Sequence, residues 1–292
     1  MDAPSQPMPA RAAESSGAAL VAARTVAAAF ALSLKRLVRS QLFLATICLA
    51  VFPILITILA VFSNAFREFH EEFKTPVQVH LAYEYYLRIF FLHFAVFFIA
   101  NILGFAVVRQ EKDDQTLHYI LLQPVPRWVP TLGKLFAYLT LSSAVCIASL
   151  WLTYLLLMAP QGASGIVRDL FAAGRFVILV KESLVLVLGL LVYGAIAMLM
   201  ATLFKSGFYA LFLLGWESAL PYLPSAAKYW TIMHYLQSLL PERLTEQRKL
   251  FELLGEPAAT WLCLAVIGGV SVVFIALCFV ISSFQECLYG EP

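Results

Sequence analysis

The chain has 292 residues, of which 61% are hydrophobic and only 13% charged, about half the charged share of a typical soluble domain. A soluble fold of this length keeps roughly a quarter of its unfolded surface wet, which so apolar a chain cannot cover with polar groups. The composition therefore excludes a soluble globular protein and predicts an all-α integral membrane protein, with lipid as the missing solvent. The 20 Lys+Arg against 18 Asp+Glu are too balanced to suggest a nucleic-acid partner. Cys48, Cys146, Cys263, Cys278 and Cys287 are scattered. Without a C-x-x-C or a Cys/His spacing, neither a disulfide framework nor a metal site is expected.

Residues 1–17 are rich in Ala, Ser and Pro and read as a disordered polar N-terminus, followed by a single transmembrane domain over 18–292. Arg24, Lys35, Arg36 and Arg39 stud the first apolar run, which does not match a cleavable signal peptide. Over 18–40, Val26, Phe30, Leu34 and Leu37 fall on one helical stripe, with Arg24, Lys35 and Arg39 opposite. That pattern predicts a basic amphipathic helix in the membrane interface, a cytosolic extension of the first span being the alternative. Six segments approach the roughly 20 apolar residues of a membrane span: 42–62, 90–108, 135–157, 183–203, 207–222 and 259–281. The fifth is short and is closed by Pro221 and Pro224, and the first carries Pro53, which kinks a span without abolishing it.

The total of Lys and Arg divides equally between the two sides of a six-span chain, so the flanks of the first span set the orientation. Lys35, Arg36 and Arg39 at one end against Arg67 at the other predict cytoplasmic N- and C-termini in a multi-pass inner (cytoplasmic) membrane protein. The segment after the second span is then cytoplasmic, and 225–257 is external.

That cytoplasmic segment is the most informative of the chain. It reads Arg109-Gln-Glu-Lys-Asp-Asp-Gln-Thr-Leu-His-Tyr-Ile-Leu-Leu-Gln-Pro-Val-Pro-Arg127, then Gly133-Lys134. Asp113 or Asp114 can cap a short helix with an acidic first turn. Leu117, Ile120, Leu121 and Pro124 make one side apolar, and Pro124 and Pro126 stop it. A short amphipathic helix joined to two spans suits a partner that pushes on the membrane domain; an ordinary interfacial loop helix is the alternative.

The same residues resemble the permease subunits of type-2 ABC transporters. Glu111, Thr116, Leu117, Leu121, Pro124, Val125, Arg127, Gly133 and Lys134 match the pattern E-x-E-x-G-T-L-x-x-L-L-x-x-P-V-x-R followed by G-K. Asp113 replaces the second Glu and Gln115 the Gly, so the local turn is open to change while helix, proline stop and cation remain. The resemblance implies that this stretch is a coupling helix docked on an ATP-binding subunit, with Glu111, Asp113, Asp114, Thr116, Leu117, Ile120, Leu121, Pro124 and Arg127 as the contact. It implies two ATPase copies carrying ATP and Mg, a second permease copy or a related permease, and no cofactor in this chain. A P-loop needs G-x-x-x-x-G-K-[ST], and Gly133-Lys134-Leu135 lacks both the first Gly and the hydroxyl. The chain is therefore not expected to be an enzyme itself.

Elsewhere the sequence leaves pairs of readings open. Glu217, well inside the fifth segment, reads as a pathway residue or as a structural hydrogen-bonding group. Lys181 and Glu182 read as snorkelling or paired residues, and Arg88 with Tyr83, Tyr85 and Tyr86 as an interfacial aromatic belt. His80 and Glu84 read with His70, Glu71 and Glu72 as a solvated charged loop, a metal site lacking a supporting spacing. The run Phe90, Phe91, Phe94, Phe97 and Phe98 reads as lipid contact, and Ser142, Ser143, Gly189, Gly194, Gly268 and Gly269 as close-packing positions. Export of a solute is one expectation; ATP-driven force transmission to a periplasmic or envelope partner through 225–257 is the other. A secondary transporter or intramembrane enzyme would be favoured by paired intramembrane carboxylates, and the spans offer only Glu217.

Overall fold

The computed structural model describes residues 10–62, 76–113, 128–219, 227–240 and 257–284. Their regular elements are all helical. Helix α1 (Ala10–Arg39) starts at Ala10 and not at 18, because the Ala-rich run before Val21 is a strong helix former. Its predicted stripe turns inward: Leu37 and Ser33 are buried and Val26, Phe30 and Leu34 half-buried, while Arg24, Lys35 and Arg39 are exposed.

After α2 (Gln41–Phe62) comes one unbroken rod: α3 (Pro76–Tyr85), a π-helical stretch (Tyr86–Ala95) and α4 (Val96–Asp113). The chain continues with α5 (Trp128–Met158), the short α6 (Gly162–Val167) and α7 (Arg175–Leu203). Then follow α8 (Tyr209–Ala219), α9 (Ile232–Ser238) and α10 (Thr260–Phe284). Five helices among the described residues are long and apolar enough to cross a membrane: α2, the α3–α4 rod, α5 with its continuation to Ala172, α7 and α10. The predicted segment 207–222 appears as the 11-residue α8, about 16 Å against a hydrocarbon core of about 30 Å. Its last residues, 220–222, lie outside the described residues.

The core is the rod packed against α7. A Cβ built on Gly104 would lie 3.0 Å from Ala197 Cβ, and one built on Gly189 would lie 2.9 Å from Val96 Cγ1. Both contacts join residues at the same offset, so the two helices run parallel. Helix α5 runs the other way across them, with Tyr138 reaching Leu190 and Trp151 reaching Ser183. The Tyr138 hydroxyl donates to Leu190 O at 2.7 Å. Its ring covers Gly194 so closely that a Cβ there would stand 2.2 Å from Cε1. Only glycine leaves room for that ring.

Helices α2 and α10 lie outermost and expose Leu44, Leu55, Leu59, Trp261, Val272 and Phe284, surface that only lipid or another membrane helix can cover. Beside Pro53, Ser149 Oγ donates to Ala50 O and ties α2 to α5, at a point where proline disturbs the helix's own ladder. The phenylalanine run divides. Phe91 and Phe97 are buried and Phe94 is exposed, because the rod touches α7 on one side and lies open on the other. Gly189 and Gly194 sit at helix contacts, whereas a Cβ on Gly268 or Gly269 would meet nothing within 4 Å.

Candidate functional site

Three polar regions lie at different depths of this bundle. At the end formed by Asp113, Trp128 and Leu203, the predicted coupling residues begin. Glu111 and Asp113 belong to the last turn of α4, so the segment grows out of the helix packed most deeply on α7. Asp114, Thr116, Leu117, Ile120, Leu121, Pro124 and Arg127 lie outside the described residues. The next turn of α5 carries Gly133 and Lys134, both buried. A Cβ on Gly133 would stand 2.7 Å from Val26 O and 2.9 Å from Phe30 N. The G-K pair thus marks where α1 crosses α5 backbone to backbone.

Glu217 of α8, level with Tyr193 in the middle part of α7, is 2% exposed. Oε1 accepts the Ile232 N–H at 3.1 Å and Oε2 the Met233 N–H at 3.2 Å. The carboxylate thereby satisfies two of the amide donors that the first turn of α9 leaves open. Thr231, in extended conformation, caps the same turn by accepting from His234 N. The neighbouring Ser218 Oγ lies 3.1 Å from His93 Nε2, in the π-helical stretch, and Tyr193 of α7 stands beside Glu217. One acidic side chain therefore fastens α8 to α9 at mid-depth, where non-helical backbone is tolerated only inside protein or along a cavity.

The third region, at the opposite end from α1, was scattered in the sequence reading and is one network in the fold. Tyr83 donates to Glu182 Oε2 at 2.8 Å, and Arg175 Nη2 donates to Glu182 Oε1 at 3.3 Å. Arg175 Nη2 also lies 3.8 Å from Glu84 Oε1, and Arg88 Nε lies 3.5 Å from Glu84 Oε2. His80 Nε2 lies 3.2 Å from Asp169 Oδ1, and Tyr154 donates to the other Asp169 oxygen. The Arg175 guanidinium sits over the rings of Tyr83 and Tyr154, at 5.0 and 5.8 Å. Glu182 is 0% exposed.

This corrects two expectations. Arg88 is buried and not in an interfacial belt, and His80 and Glu84 belong to the rod, half-buried instead of lying in a solvated loop, whereas Glu182 takes the paired one of its two readings. The signal was present in the spacing His80, Glu84, Arg88, which places three ionisable groups on one helix face at i, i+4 and i+8. Lys181, by contrast, is exposed.

The comparisons with known proteins agree with the membrane architecture. The family model described as ABC-2 family transporter protein matches residues 27–286. Neither the curated proteins nor the solved structures give a match. The match takes in the crossing of α1 on α5, the parallel rod–α7 core and the Glu217 anchor together. This multi-pass membrane chain therefore belongs to the ABC-2 transporter family, as a permease of an ABC transporter.

Proposed function

We propose that the chain couples ATP hydrolysis by a separate ATPase subunit to export of a solute across the inner membrane. The observation that carries this reading is the continuity of α4. The helix that ends in Glu111 and Asp113 is the same helix that packs against α7 through Gly104 and Ala197. A partner pressing on 110–127 would therefore move the rod and α7 as one unit against α5, a switch between two packed arrangements. Both termini lie on the side of that partner, two ATPase copies carry ATP and Mg, and two permeases form the pathway between them. Helices α8 and α9, joined by Glu217, together form a sixth crossing. Glu217 works as the anchor of α9, since both its oxygens already accept backbone donors.

Co-expression with the ATPase subunit, pull-down in detergent and ATP turnover test the reading. Leu121→Asp removes an apolar anchor, a class of change that costs about 2 kcal/mol or more at an interface, and should release or uncouple the ATPase. Asp113→Asn removes a rim charge worth under about 1 kcal/mol and should have a mild, salt-sensitive effect. Full recovery and full coupled activity with Leu121→Asp would show that the segment is an ordinary loop. Stimulation of ATP turnover by an envelope protein, and by no solute, would replace export with force transmission.

A further inference from the structure

At the end of the bundle opposite α1, residues 162–172 form a short arm between α5 and α7. The arm is α6 and its π-helical continuation, Arg168–Ala172. A glycine with positive φ stands at each end, Gly162 at 76° and Gly174 at 72°. Glycine holds such a φ without steric cost, and a Cβ on either would meet nothing within 4 Å. Neither turn is therefore wedged by a neighbour. The arm turns Val167 and Phe171 outward, 57% and 71% exposed, and rests on the core through the half-buried Ile166 and Leu170. Among the described residues, its side-chain hydrogen bonds run through Asp169. One carboxylate oxygen accepts the Tyr154 hydroxyl of α5, and the other lies 3.2 Å from His80 Nε2 of the rod.

We infer that this arm is an acid-released latch: Asp169 holds it to the rod at His80, and a proton on the His80 ring frees it. The inference holds whether or not the chain exports a solute. His80 stands ten residues before the predicted second span at 90, about 15 Å along the helix, within reach of protons from water. With a neutral ring, Nε2–H donates to Asp169 and Nδ1 keeps a lone pair. Nδ1 is buried without a hydrogen-bond partner, so it is the nitrogen that takes the proton. The charged groups acting on the ring are Asp169 of the arm, Glu84 of its own helix and Arg175 of α7. Arg88 and Glu182 lie behind them, paired with Glu84 and Arg175. Both nearby carboxylates are already engaged, Glu84 by Arg88 and Arg175 and Asp169 by Tyr154. A third cation there gains little from them and is repelled by Arg175. The new N–H is also a charged donor enclosed without an acceptor, which costs more than an unpaired lone pair. Once the arm lifts, both ring N–H groups meet water, while Asp169 keeps the Tyr154 hydroxyl. The released state gains more from the proton than the latched state, so acid draws the equilibrium toward release. Histidine changes charge between about pH 5 and pH 8.

Spin labels at V77C of the rod and V167C of the arm, both exposed positions, test this by double electron–electron resonance in detergent micelles. The background is C48S/C287S, since Cys48 is exposed. One short distance should dominate at pH 8. At pH 5 a longer one should gain about ten-fold over it, as for a proton bound ten times more tightly in the released state. His80→Gln keeps a neutral donor toward Asp169 and should hold the short distance at both pH values, with His80→Asn as a second variant of the same kind. Asp169→Ala should show the longer distance already at pH 8. An unchanged wild-type distribution between pH 8 and pH 5 would overturn the proposal. An acid shift in His80→Gln equal to that of wild type, or a short distance in Asp169→Ala at pH 8, would overturn it as well.

Discussion

Replacing Arg175 by Met isolates the buried charge network. The guanidinium lies 3.3 Å from Glu182 Oε1 and 3.8 Å from Glu84 Oε1, over two tyrosine rings. The Arg175 side chain is 10% exposed and that of Glu182 0%, so solvent screening does little here. Without Arg175, Glu182 keeps the Tyr83 hydroxyl as a donor but loses its cation. Breaking a buried pair by removing one partner costs about 3–5 kcal/mol, because the remaining charge stays uncompensated. Arg175→Met should therefore destabilise the protein by about 3 kcal/mol or more. Glu182→Gln in the Arg175→Met background should recover a large part of that loss, since no buried charge is left at that position. The assay is unfolding in mixed micelles followed by circular dichroism, run as a double-mutant cycle over Arg175 and Glu182. Contacting residues of this kind show coupling of about 0.5–3 kcal/mol. A cost below about 1 kcal/mol for Arg175→Met, with additivity in the cycle, would refute the network as an energetic unit.

Glu217→Leu should strip acceptors from the Ile232 and Met233 amides, at about 1–3 kcal/mol for each buried donor left unpaired. Glu217→Gln keeps one acceptor oxygen and should cost less; thermal unfolding of the two variants orders them. Gly194→Ala should destabilise by about 1–3 kcal/mol through overpacking against Tyr138, and Tyr138→Leu in that background should relieve part of the cost in the same measurement. Gly133→Leu should push α1 off α5, read as faster proteolysis within residues 24–39, with wild-type cleavage rates as the contrary result.

Membrane residence follows from composition alone, because no arrangement of 292 residues at 61% hydrophobic hides that surface from water. The apolar stripe of α1 was legible, since a 3.6-residue period needs only local geometry, whereas its packing against Gly133 of α5 was not. The family was legible in 111–127 and 133–134 as a local pattern of apolar, acidic and proline positions. Tertiary structure decided the rest. Polar residues at 76–89 ended the predicted second span early, yet the rod runs through them because His80, Glu84 and Arg88 find partners on α7, on the segment between α5 and α7, and on each other. Whether Glu217 faced a pathway or a backbone depended on α9, fifteen residues further on, turning its first amides toward it. A window of sequence cannot register either event, because a buried charge is costly alone and tolerable only with a partner that the fold brings from elsewhere. Gly133 and Gly268 look alike in sequence, and only the course of α1 makes the first a crossing point and leaves the second open.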